Sequence, residues 1–114
     1  MSSSLPLVEK ICRLPIDYKV KGKSPLQIVE DSGYIKNPDT LTVSDIEDYL
    51  RRAPDLIDAW LIWSADKRVS SGWYFIEDNS GYAVGYYPNG ERVLYPNSRR
   101  ACAEFILREV SGFL

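Results

Sequence analysis

Residues 60–95 constrain this chain more than any other stretch. They hold all three tryptophans, five of the eight tyrosines and Phe75. Gly72, residues 79–81 and residues 88–90 punctuate them with Gly, Asn and Pro. Aromatic and β-branched runs broken by such residues predict an antiparallel β-meander. Strands are expected over 73–78, 82–87 and 91–95, with turns at 79–81 and 88–90. Residues 66–72 read as a polar loop. The apolar run 56–65 has hydrophobic residues on both faces and fits a central strand or a buried helix. Its shortness and its Trp and Ile residues favour a strand from about Ala59, which would make four strands.

Helical signals flank the meander. Ser4 can cap a helix over 5–14, with Leu7, Ile11 and Leu14 facing inward and Pro15 ending it. The polar, basic residues 16–23 read as a loop. Ser24 and Pro25 open a short helix that Gly33 closes. Residues 37–39, Asn-Pro-Asp, read as a turn. Ser44 with Glu47 forms a capping box for a helix whose stripe is Ile46, Tyr49 and Leu50; Pro54 prevents its continuation past Ala53. Asn97 caps a closing helix over about 98–110, which Gly112 ends. The expected fold is one α+β domain over residues 1–114: a three- to four-stranded antiparallel β-meander with helices packed mainly on one face.

The chain carries a net charge of −2, unlike the basic footprint of a general nucleic-acid binder. The charge is unevenly spread. Residues 1–23 carry Lys10, Arg13, Lys19, Lys21 and Lys23 against Glu9 and Asp17. Residues 24–58 carry eight acids against Lys36, Arg51 and Arg52. Solvated helix faces account for most such charges; the sharper reading is an acidic surface that meets a basic partner.

The chain has no histidine, which removes the commonest general base, the usual hydrolase triads and most zinc sites. No P-loop, GxGxxG or EF-hand pattern occurs. Cys12 and Cys102 form no metal or CxxC motif, so buried free thiols are expected, with a bridge between the terminal helices as the alternative. Asp45 with Asp48, and Asp55 with Asp58, lie three apart and would share a helix face; Glu77 and Asp78 would point to opposite faces of a strand. Caps and first-turn acids explain these carboxylates better than catalysis does. Neither a secretory signal nor a membrane-spanning run is visible, which makes the cytoplasm the expected location. No cofactor, metal, nucleic acid or membrane is expected as a partner.

The segments SDIEDYLRRAPDLIDAW, SADKRVSSGWYF and GYYPNGERVLYP resemble small bacterial cytoplasmic proteins. In size and composition the chain is similar to the immunity proteins of polymorphic toxin systems, including those of contact-dependent growth inhibition. That resemblance implies a small acidic α+β domain that binds and neutralises one toxin domain. It carries over no residue role by position. The expected function is a non-catalytic binding protein, with a small adaptor or regulatory subunit as the alternative and a carboxylate enzyme as the outsider. The candidate partner-binding residues are Asp45, Asp48, Asp55, Asp58, Asp66, Arg68, Glu77 and Asp78, the charged groups that flank the aromatic strands or the capped helix.

Overall fold

The meander forms, with three strands. A computed structural model describes residues 5–67, 72–78, 81–87, 90 and 92–112. Strands β1 (Gly72–Asp78), β2 (Gly81–Tyr87) and β3 (Arg92–Tyr95) pair antiparallel in the order β1-β2-β3. Phe75 pairs with Val84, and Val84 with Val93. Alternation then places Trp73, Phe75, Tyr82 and Val84 on one face and Tyr74, Ile76, Ala83 and Leu94 on the other.

Six α-helices are found among the described residues: α1 (Leu5–Cys12), α2 (Leu14–Lys21), α3 (Pro25–Ser32), α4 (Val43–Arg52), α5 (Asp55–Lys67) and α6 (Ser98–Ser111). A 3₁₀ turn, Pro38–Thr40, occupies the expected Asn-Pro-Asp turn. Helix α6 packs on the Phe75 face of the sheet, where Phe105 stacks on Phe75 with ring centroids 5.7 Å apart. Trp60 of α5 meets Phe105 in a T-shaped contact at 5.8 Å. Ile11, Ile46, Leu50, Ile106 and both cysteines complete this buried core.

The principal correction concerns residues 59–65, which lie within α5 and form no strand. Leu56, Trp60 and Ser64, at i, i+4 and i+8, make one buried face of this helix. The residues that suggested a strand are held by tertiary contacts that outweigh β propensity. Helix α5 runs along the outer edge of β1, and the Ser64 hydroxyl accepts the Phe75 N–H at 2.8 Å. One backbone donor at an otherwise open strand edge is thereby satisfied.

Three smaller corrections concern element boundaries. Residues 16–23 are mostly helical, because Pro15 closes α1 and then serves as an early residue of α2, where its missing N–H costs nothing. Gly22 ends α2 in the left-handed region, φ 68°. The N-cap of α4 is Thr42, not Ser44: its hydroxyl accepts the Asp45 N–H at 3.2 Å. Glu47 turns away from that cap to Arg100, at 3.3 Å. Of the polar loop expected at 66–72, Asp66 and Lys67 belong to α5 and Gly72 opens β1; residues 68–71 lie outside the described residues. The expected caps Ser24 and Asn97 form, Asn97 Oδ1 accepting from the N–H groups of Arg99 and Arg100 at 2.8 and 3.3 Å.

Candidate binding groove

Helix α2 enters the core only through its first turn, where Leu14 and Pro15 are buried. Its second half stands clear of the core, and the left-handed turn at Gly22 brings the chain back into α3. Helix α5 faces it. Between α2, the start of α3 and α5 lies an open groove of about 740 Å³. Its lining is mainly apolar: Ile16, Tyr18, Val20, Leu26, Ile62 and Trp63 supply most of it.

These side chains are far more exposed than their chemistry favours. Val20 is 76% exposed, Ile62 52%, Leu26 45% and Tyr18 43%. The groove thus collects four of the seven most exposed large hydrophobic residues among the described residues. Single exposed apolar residues are ordinary on a protein surface, whereas several gathered in one concavity mark an interaction site. The remaining three, Tyr86, Val93 and Leu94, lie on β2 and β3.

The groove has a fixed floor. Trp63 packs edge-to-face against Tyr18, centroids 5.5 Å apart, and against buried Trp60 at 5.9 Å. Its indole N–H donates to Glu109 Oε2 of α6 at 3.1 Å. Trp60 in turn donates its indole N–H to the Cys12 carbonyl at 2.9 Å. The aromatic floor is therefore bonded to both α1 and α6, and little side-chain freedom remains to be lost on binding.

Charged groups border the groove unevenly. Lys19 lines it from α2 and Glu109 from α6. Asp58 lies one turn before Ile62 on α5, and Asp55 a turn before Asp58. At 100° per residue, Asp55, Asp58 and Ile62 fall within about 60° of one another around the helix. Lys19, Asp55 and Asp58 make no ion pair among the described residues.

The structure divides the eight candidate charges. Asp55 and Asp58 share the exposed first turn of α5, before the Ala59 and Ile62 side chains that line the groove. Asp45 and Asp48 share a face of α4, where Asp48 is paired with Arg51 at 3.0 Å and Asp45 sits in the first turn. Glu77 is exposed near the end of β1, and Asp78, on the opposite face, is paired with Arg92 at 2.6 Å. Asp66 lies in α5 about 12 Å along the axis from Asp58, and the placement of its side chain is outside the described residues, as is all of Arg68. The six candidates whose side chains are described do not form one surface.

Sequence reasoning missed Ile16, Tyr18, Val20, Leu26 and Ile62. Their signal was present: α5 has more apolar residues than one buried face needs, and the basic stretch 16–21 interleaves Ile16, Tyr18 and Val20 with charges.

A second polar assembly joins α4, α6 and the sheet. Glu47 pairs with Arg100, Arg100 with Glu104 at 3.2 Å and Glu104 with Arg108 at 2.6 Å. The Arg108 guanidinium lies 5.5 Å from the Trp73 ring, which makes a T-shaped contact with Tyr86. These charges satisfy one another and read as a brace between elements.

The cysteines offer no nucleophile. Burial pushes the Cys12 thiol up to about 12, and burial beside Cys12 raises Cys102 as well, so both stay protonated at neutral pH. Both are free thiols. Among the described residues, no three Cys, Asp or Glu side chains gather in a way that could hold a metal ion. No described helix is long and apolar enough to cross a membrane. Comparison with protein-family models, with curated proteins and with solved structures finds no match to this chain.

Proposed function

We propose that this is a non-catalytic binding protein that holds a protein partner in the groove between α2, α3 and α5. The observation that carries this reading is the gathering of Tyr18, Val20, Leu26 and Ile62, all well exposed, over a rigid Trp63 floor. Exposed apolar groups around a fixed aromatic are what the centre of a protein interface requires. Asp55 and Asp58 supply the polar rim on the α5 side and serve partner selection and association rate.

The partner we propose is a toxin domain, neutralised by occlusion of its site. The similarity in size and composition to bacterial immunity proteins supports this choice, and so does the acidic stretch that ends at Asp58. Co-expression with a toxin domain encoded beside this protein tests it. Wild-type protein should bind the domain and restore growth, and Val20→Asp with Ile62→Asp should weaken binding about thirtyfold or more and impair rescue while circular dichroism shows an intact fold. A wild-type protein that neither binds the toxin nor rescues growth ends the toxin reading and leaves the groove to an adaptor's partner.

A further inference from the structure

The two walls of the groove carry opposite charge. On one wall Lys19 projects from α2 without an ion pair among the described residues. On the α5 side, Asp55 and Asp58 lie just beyond the lining, two turns and one turn before Ile62 and within about 60° of it around the helix, likewise without one. Glu109, which holds Trp63, puts an acid on the lining itself. A partner of uniform charge gains on one wall and loses on the other. A neutral apolar ligand gains from neither set of charges.

The walls are also short. Residues 59–63 of α5 rise about 6 Å, and residues 15–20 of α2 about 8 Å. Two or three apolar anchors at i, i+3 and i+4 span that length, which is the pattern by which an amphipathic helix fills a hydrophobic groove.

From this charge complementarity we infer that the groove takes an amphipathic helix of the partner, with an apolar stripe flanked by acidic residues on one side and basic residues on the other. The acidic flank meets Lys19, and the basic flank meets Asp55 and Asp58. The inference rests on the groove being a protein-binding surface, as proposed above, and specifies what enters it.

Three synthetic helical peptides test it, each with leucine at i, i+3, i+4 and i+7. One carries glutamate on both flanks, one lysine on both, and one glutamate on one flank and lysine on the other. Affinities and binding site are read from NMR shifts of the Val20, Leu26 and Ile62 methyl groups at low ionic strength. The mixed peptide should bind about tenfold tighter than either uniform one, the size expected from two or three exposed charge pairs. Asp55→Lys with Asp58→Lys should shift the preference to the all-glutamate peptide, and Lys19→Glu to the all-lysine peptide.

Equal affinity of the three peptides at these methyl groups overturns the charge assignment while leaving the groove a protein-binding surface. No shift with any of them overturns the helical occupant; loss of toxin binding on Ile62→Asp remains a separate readout of the proposed function. Binding to phosphatidylcholine vesicles that Ile62→Asp blocks would assign the groove to lipid. A concentration-dependent dimer that protects these methyl groups would assign it to a second copy of the chain. Either result overturns the inference.

Discussion

Ser64 joins two elements through one oxygen. Its hydroxyl is the acceptor for the buried Phe75 N–H, at 2.8 Å. Ser64→Ala removes that acceptor and leaves a buried donor without a partner, a loss of about 1–3 kcal/mol. A urea titration should show a lower midpoint at an unchanged slope, with the extrapolated unfolding free energy falling by that amount; an unchanged midpoint would mean another group accepts this N–H. The cysteines give a pH prediction. Burial raises Cys12 from 9.0 to about 12, so the folded state favours the neutral thiol and the unfolded chain ionises first. The stabilising contribution is complete below about pH 9 and is lost as the pH rises toward 12. Between pH 8 and about 10.5 the wild type should lose about 1–2 kcal/mol more stability than Cys12→Ala. Equal losses in the two proteins would place the thiol in contact with water. The burial of both thiols was legible in the sequence from their place in helical patterns. The Ser64 bond was not, because it depends on which element lies along the edge of β1.

At the scale of elements, the turn chemistry spoke most clearly. Pro25 after Ser24, Gly33, Pro54 and Asn97 mark boundaries that the structure keeps, since each acts through its own backbone or the next turn. Reading failed where one residue serves two neighbours. Pro15 ends α1 and also starts α2, and only the first half of that was visible. The α4 cap was misplaced by two residues because Thr42 and Ser44 are both competent acceptors. Thr42→Ala should cost about 1 kcal/mol, whereas Ser44→Ala should change the thermal midpoint little. The opposite order would return the cap to Ser44. The largest error, α5 read as a strand, has a physical source. Its apolar residues face in two directions, Leu56 and Trp60 into the core and Ile62 into the groove. Periodicity detects one buried face, and a helix that also lines an open apolar surface blurs it.

For the whole molecule, the fold class and the three meander strands could be read from the sequence, because they follow from local turn and propensity signals. The groove could not. It exists only when α2, folded back at Gly22, meets α5, some forty residues later in the chain. Acidic residues were the visible candidates, but Asp48 and Asp78 are neutralised by Arg51 and Arg92. Asp55 and Asp58 remain beside the apolar surface. On the proposed function, Val20 and Ile62 serve a partner and not the core. The most direct test measures stability and toxin-domain affinity together for Val20→Asp with Ile62→Asp. Side chains this exposed contribute little to folding, so the melting temperature should stay within a few degrees of wild type, about what surface substitutions allow. Loss of two central anchors should weaken affinity about thirtyfold or more. Unchanged affinity in a folded variant, or unfolding of the variant, would contradict the claim.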